Sequence, residues 1–168
     1  MKCNADAFAA MYRTVYAELY RFAFCMMKNP HDAEDAVSEA VVRAYEHIGV
    51  LRNEAAFKSW IFTILANTCR KKWRKIEKEQ LKEDISYFTP EEGQEEDLAL
   101  AADVRNAFQI LEEEEQLIVG LTVFGGYSSQ EIGHYLHKNP STVRSRLSRA
   151  LAKMSVLLKE QERRGQHE

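Results

Sequence analysis

Apolar side chains recur at three- and four-residue intervals along most of this 168-residue chain, and this spacing constrains the fold more than any other feature. The interval matches the period of an α-helix, whereas a strand would alternate apolar and polar residues. Glycine (7 residues) and proline (3 residues) are scarce, so few positions interrupt the helical pattern. The apolar runs begin near Phe8, Ala36, Phe57, Leu98, Leu117, Ile132 and Val143. We therefore predict an all-α protein.

The charge distribution predicts how these helices are grouped. The formal net charge is only −3, but residues 1–75 and 117–168 each carry a net charge of +4, while residues 76–116 carry −11. Pro90 and Gly93 also interrupt the helical pattern inside the acidic segment. We predict two small helical domains at 1–76 and 98–160, joined by an acidic flexible linker at 77–97 and followed by a disordered tail at 161–168.

Three polar residues are candidate N-caps, because a side-chain oxygen at that position accepts a hydrogen bond from a free backbone N–H of the first turn. Asp32 precedes the second apolar run, and Ser129 and Ser141 precede the last two. The sequence therefore predicts helix starts at these three positions.

Several classes of protein are disfavoured by what the sequence lacks. No apolar run approaches the roughly 20 residues of a membrane helix, and the N-terminus has no apolar signal-peptide core. The three cysteines form no CxxC pair, and the five histidines have no zinc-ligand spacing. No glycine-rich phosphate loop or nucleophile–base pairing is present. We expect a cytoplasmic protein without catalytic residues, metal, cofactor or small-molecule substrate.

The segment SSQEIGHYLHKNPSTVRSRLSRALAKM, residues 128–154, has the pattern of a helix-turn-helix. Its longer helix places Val143, Leu147, Leu151 and Met154 on one side, and Arg144, Ser145, Ser148 and Arg149 on the opposite arc. Arginine can bind guanine edges in the major groove, and small hydroxyl residues let the backbone approach closely. The alternative is a solvated basic face. The preceding short helix and the absence of Asp or Glu from 132 to 159 favour a recognition helix.

A second basic segment, CRKKWRK at residues 69–75, interleaves cations with Trp73. This combination suits a single-stranded nucleic acid, because the cations can bind along the phosphate backbone and a base can stack on the indole. A packed tryptophan at a solvated helix end is the alternative. The preceding helix is acidic in its first two turns, where Asp32, Glu34, Asp35 and Glu39 indicate capping together with a docking surface for a basic protein.

In combination these motifs resemble the bacterial RNA polymerase sigma factors of the sigma-70 family. HDAEDAVSEAVVRAYEHI followed by AAFKSWIFTILANTCRKKWRK resembles region 2, and YSSQEIGHYLHKNPSTVRSRLSRALAKM resembles region 4. The short length is similar to that of the extracytoplasmic-function (ECF) group. The resemblance implies a factor that binds core RNA polymerase and directs transcription from promoters by reading their −10 and −35 elements. It also implies an inhibitory anti-sigma factor, often membrane-bound.

The resemblance implies roles for three sets of residues. Contact with core polymerase falls to Asp32, Asp35, Ser38 and Glu39. Contact with the single-stranded −10 element falls to Lys58, Asn67, Arg70, Lys71, Trp73 and Arg74. Contact with the duplex −35 element falls to Ser141, Thr142, Arg144, Ser145, Arg146, Ser148, Arg149 and Lys153, of which Arg146 and Lys153 would lie beside phosphates.

The chain departs from the family pattern at three places, one of which is Ser148, a smaller residue than many at its position. It reads Leu111-Glu112-Glu113-Glu114-Glu115 where the family usually has Leu-Pro and a basic residue. Gly133 replaces the usual alanine, which is expected to loosen the short helix by about 0.5–1 kcal/mol. Two other functions stay open: a stand-alone helix-turn-helix regulator that binds duplex DNA without polymerase, and a helical interaction protein that binds no DNA.

Overall fold

The computed structural model describes residues 4–27, 29–80 and 95–167, and no strand occurs within these ranges. The α-helices are α1 (Ala5–Met26), α2 (Pro30–Glu46), α3 (Phe57–Gln80), α4 (Glu95–Gln109), α5 (Glu113–Val123), α6 (Ser129–Leu136) and α7 (Pro140–Gly165). Two short 3-10 turns, Ile48–Val50 and Glu54–Ala56, connect α2 to α3. The all-α prediction is confirmed.

The helices form two compact units, one containing α1 to α3 and the other α4 to α7. Most of the predicted linker, residues 81–94, lies outside the described residues. At its two ends the helices extend further than predicted, since α3 continues to Gln80 and α4 begins at Glu95. Lys, Glu and Gln are good helix formers, so the sequence KIEKEQ propagates α3 beyond its last apolar contacts.

The C-terminal helix also continues past the predicted domain end. We expected a disordered tail at 161–168, but α7 extends to Gly165. Leu157 and Leu158 remain half-buried, and Arg163 and Arg164 lie in the last turn, where cations interact favourably with the helix dipole. The partial burial of the two leucines, the favourable charges at the helix end and the good helix formers between them extend the helix.

The first unit is a three-helix bundle with an aromatic core. Leu19, Phe22, Ile61, Phe62 and Leu65 are almost fully buried where α1 meets α3. The Phe22 and Phe62 rings meet edge to face with centroids 5.7 Å apart, an arrangement that adds to the free energy of burial. Because this core lies under α3, it holds the basic end of that helix in a defined orientation.

The second unit packs α4, α5 and α6 against α7. Its core contains five residues that are fully buried, Leu117, Ile118, Ile132, Val143 and Ala150. Leu151, which the sequence pattern placed on the apolar side, is instead 44% exposed. The buried side of α7 therefore follows Val143, Ala150 and Met154, and Leu151 lies at its edge because the packed stripe is narrower than the apolar one.

All three predicted N-caps were wrong by one to three residues. Asn29 caps α2 and Asn139 caps α7, each followed by a proline in the first turn. Proline suits this position because the N–H it lacks would have no partner there. Ser128 rather than Ser129 caps α6, in a capping box with Glu131. The two Asn-Pro pairs thus begin helices that the sequence analysis started later.

Gly133 has a packing role that its helix propensity does not reveal. A Cβ at this position would lie 2.6 Å from the Lys138 backbone carbonyl oxygen, where the chain turns from α6 to α7. Propensity alone favours alanine by about 1 kcal/mol. The close backbone approach outweighs this gain, so glycine stabilises the turn instead of only loosening the helix.

We therefore expect Gly133→Ala to lower the free energy of unfolding, because the turn has to move away from the added methyl group. Urea unfolding followed by circular dichroism measures this change. Gly49→Ala is the control, since a Cβ there meets nothing within 4 Å. An increase in the stability of Gly133→Ala would contradict the packing role.

Candidate nucleic-acid interface

The turn between α6 and α7 sets the direction of the recognition helix. His137 caps α6 with φ 55°, a left-handed conformation that ends the helix abruptly. The Lys138 N–H donates to the Gly133 carbonyl oxygen at 2.8 Å. The Asn139 side chain then accepts from the Ser141 N–H at 3.1 Å and opens α7. Consecutive hydrogen bonds therefore join the two helices through three turn residues.

One face of α7 is open to solvent and carries most of the predicted −35 contacts. The exposed side chains are Ser141, Thr142, Arg144, Ser145, Ser148 and Arg149. Val143 and Ala150 lie on the opposite side with no exposed area. The face presents two guanidinium groups between small hydroxyl residues, which is a suitable surface for a major groove.

Arg146 and Lys153 differ from the other six residues. Arg146 pairs with Glu114, which also accepts from Lys138 Nζ at 3.3 Å. Lys153 Nζ lies 2.7 Å from Glu115 Oε1. The structure therefore places these two cations against the start of α5, and the sequence analysis missed these contacts.

The predicted −10 contacts are only partly brought together on α3. Asn67, Arg70, Lys71 and Arg74 fall on one face, at intervals of three and four residues. Lys58 lies roughly 24 Å from Arg74 along the helix axis and on a different face. The first four residues form a basic stripe, and Lys58 is separate from it.

Trp73 lies beside this stripe and is half-buried. Its indole Nε1–H donates to Glu77 Oε1 at 2.9 Å. Since Glu77 is one helical turn further on, this contact orients the indole ring along α3. The four-residue spacing was visible in the sequence and could have identified Glu77 as the partner of Trp73.

The predicted polymerase-binding residues lie on α2 in two different environments. Asp35 and Ser38 are exposed, and Asp35 Oδ2 lies 3.7 Å from His31 Nε2. Asp32 accepts from Asn29 Nδ2 at 2.6 Å as part of the helix start. Asp35 and Ser38 therefore offer an open acidic and polar surface, whereas the Asp32 carboxylate already has a partner.

Glu39 connects α2 to the basic helix. Its carboxylate pairs with Arg43 at 2.7 Å and with Lys72 at 3.3 Å. The spacing to Arg43 is the ordinary four-residue pair of a helix surface. The contact with Lys72 links two helices and could not be identified from sequence spacing.

The described residues contain no group of three or more His, Cys, Asp or Glu side chains arranged to hold a metal ion. None of the helices in the described ranges is both long and apolar enough to cross a membrane. Cys69 is buried, and this burial raises the pKa of its thiol to about 12 although the nearby Lys72 lowers it. The thiol is therefore protonated at neutral pH and unreactive.

The fold and these surfaces define a two-unit helical protein of the helix-turn-helix class. The Sigma-70 region 2 family matches residues 11–79, and the Sigma-70, region 4 family matches residues 101–154. These matches cover the basic stripe of α3 in one unit and the complete helix-turn-helix in the other.

Relatives that match over most of their length are sigma factors. RNA polymerase sigma factor SigV of Bacillus subtilis is 32% identical over 141 residues, covering 84% of each chain. ECF RNA polymerase sigma factor SigM of Mycobacterium tuberculosis is 29% identical over 154 residues, covering 90% of this chain and 77% of SigM. The sigma factor RpoE of Bartonella quintana, solved in complex with the anti-sigma factor NepR, has a TM-score of 0.79 at 25% identity and covers 92% of this chain and 98% of its own.

The chain belongs to the ECF group of the sigma-70 family of RNA polymerase sigma factors. It therefore acts in directing transcription, as the resemblance of its two motifs implied. The comparisons give no support to a stand-alone regulator or to a helical protein that binds no DNA.

Proposed function

We propose that this sigma factor delivers core RNA polymerase to promoters through three separate surfaces: α2 for the polymerase, the α3 stripe for the −10 element, and α7 for the −35 element. The observation that carries the proposal is the exposed face of α7. Arg144 and Arg149 are open to solvent there, whereas Val143 and Ala150 on the other side of the helix are fully buried. A helix whose opposite side is packed against the rest of its domain can enter a major groove as a rigid body.

The −10 surface supports the second half of promoter recognition. The basic stripe of α3 would bind along the sugar-phosphate backbone of a single DNA strand, and Trp73 beside it offers a face on which a base can stack. The stripe consists of Asn67, Arg70, Lys71 and Arg74. Stacking of unpaired bases offsets the free energy that is needed to separate the two strands. The protein then needs no catalytic group, because the polymerase performs the chemistry, and its place of action is the cytoplasm.

The proposal includes an anti-sigma factor. The Bartonella quintana relative was solved in complex with the anti-sigma factor NepR. Within the first unit of this chain, Tyr16, Val42 and Val50 are 53%, 57% and 72% exposed. These side chains are candidate contacts for such a partner, and a membrane-bound partner would hold the protein at the membrane.

Run-off transcription with bacterial core RNA polymerase on a randomised promoter library tests the function. We expect enrichment of templates with two conserved elements only when both polymerase and this protein are present. Selection of the same library by direct binding to this protein without polymerase is the second arm, and enrichment there would favour a stand-alone regulator. No enrichment in the transcription assay would contradict the proposal.

We expect Trp73→Ala to weaken binding of the holoenzyme to a single-stranded −10 oligonucleotide by about 5- to 150-fold, since one base stacked on an aromatic ring contributes roughly 1–3 kcal/mol. Trp73→Phe keeps a stacking face and loses the hydrogen bond to Glu77, so it should retain most of the affinity. Fluorescence anisotropy measures both. Equal losses in the two variants would show that Trp73 acts through Glu77 and not by stacking.

A further inference from the structure

The run Glu112–Glu115, where the chain departs from the family pattern, has a defined structural role. Glu113, Glu114 and Glu115 form the first turn of α5, where negative charge interacts favourably with the helix dipole. Glu115 Oε2 also accepts from the Glu112 backbone N–H at 3.1 Å. Helix initiation thus accounts for part of this run, but it does not explain the direction in which Glu114 points.

Glu114 joins three segments of the second unit. Its Oε1 atom pairs with Arg146 of α7 and with Lys138 of the turn, the latter at 3.3 Å. The three side chains are 30–38% exposed, so solvent screens the pairs only in part. A single carboxylate therefore connects the start of α5 to the turn and to the recognition helix.

Glu115 provides a second connection two helical turns further along α7. Its side chain is only 13% exposed, and Lys153 Nζ lies 2.7 Å away. Burial opposes ionisation of this carboxyl, but the hydrogen bonds from Lys153 and the Glu112 N–H and the charges of Lys153 and Arg146 lower its pKa overall. The two pairs lie roughly 10 Å apart along the helix axis, so together they restrict both the tilt and the rotation of α7.

Arg144 and Arg149 are exposed, and they form no ion pair with any described carboxylate. The four cations of α7 that were predicted to contact the −35 element therefore divide into two without an ion pair and two that pair with carboxylates of α5. We propose that Glu114 and Glu115 are positioning residues that hold Arg146 and Lys153 on the protein, so that these two cations set the angle of α7 in the groove and do not neutralise phosphates. This inference rests on the proposed function of α7.

Simple electrostatics predicts a different effect when the same carboxylates are removed, namely tighter binding of DNA. A glutamate beside DNA repels phosphate, so its removal should raise affinity for every duplex alike. Loss of a positioning contact should instead lower the preference for the promoter duplex over a scrambled duplex, because the arginines no longer meet the correct bases. The specificity ratio therefore separates the two effects.

The test uses the holoenzyme and a −35 duplex selected in the run-off experiment. We expect Glu114→Gln to lower the specificity ratio by about 2- to 10-fold, as the loss of two partly exposed ion pairs implies. Glu112→Gln is the matched control, because it removes the same charge from the same run. The Glu112 side chain is exposed and forms no ion pair with any described residue. A ratio that is unchanged in Glu114→Gln, or an affinity that rises for both duplexes, would overturn the inference.

The salt dependence of binding supplies an independent readout. We expect Arg149→Gln to reduce the slope of log K against log salt concentration by about 0.9, the change for one cation that no longer neutralises a phosphate. We expect Arg146→Gln to leave this slope unchanged. If Glu114→Gln fails to fold by circular dichroism, the Arg146→Gln slope decides alone, and a fall of about 0.9 overturns the inference. A wild-type holoenzyme without any preference for the promoter duplex would instead contradict the proposed function.

Discussion

Replacing Arg144 and Arg149 together with alanine is expected to reduce binding to the −35 duplex by roughly 30- to 10⁴-fold, since a specific arginine contact to a base contributes about 1–3 kcal/mol. Both side chains are exposed and lie opposite the buried side of α7, so their removal leaves the core intact. Binding of the holoenzyme to labelled duplex, measured by anisotropy, gives the affinity.

The control for this variant is Lys159→Ala with Arg163→Ala, which removes two exposed cations from the C-terminal part of the same helix. Both double variants lose the same charge, so a general electrostatic effect would weaken them equally. Equal losses would show that α7 attracts DNA by charge alone and does not read its sequence. Binding to a single-stranded −10 oligonucleotide should be unchanged in both variants.

Asp35→Lys is expected to reduce the affinity for core polymerase by more than about 100-fold, because placing a like charge against a basic docking surface costs several kcal/mol. Asp35 is the better choice than Glu39, since Glu39 pairs with Arg43 and Lys72 and its reversal would disturb α3 as well. Competition for core polymerase against unlabelled wild-type protein measures the loss.

Glu46→Lys reverses an exposed charge in the last turn of the same helix and serves as the control. We expect it to bind polymerase like the wild type. If Asp35→Lys also binds normally, the acidic start of α2 only stabilises the helix, and the polymerase must contact another surface. Thermal unfolding of both variants separates this result from a loss of fold.

The helical pattern was predictable because each helix buries one apolar side and that side recurs with the helical period. Phe8, Val15, Leu19 and Phe22 are buried as their spacing predicts. The helix starts were less predictable. Asn29 and Asn139 precede prolines, and a proline reads in sequence as the end of a helix although it is also favoured in a first turn.

The candidate site was predictable to different extents in its different parts. The exposed arc of α7 follows from the angular positions of its residues, because the helix and its buried side are both encoded locally. The pairing of Trp73 with Glu77 is likewise a contact within one helix. The pairs Glu39–Lys72 and Glu114–Arg146 are not local, since the two members of each pair lie on different helices and 32 or more residues apart in the sequence.

By itself, the sequence determined the helices, the helix-turn-helix, the basic stripe of α3 and the membership of the sigma-70 family, because each depends on the order and spacing of neighbouring residues. Only the tertiary structure decided which cations of the recognition helix pair with a carboxylate. Arg144 and Arg146 are two residues apart and chemically identical, but packing of α5 against α7 places Glu114 beside Arg146 and not beside Arg144. Coulomb attraction acts through distance in space, and the fold sets that distance.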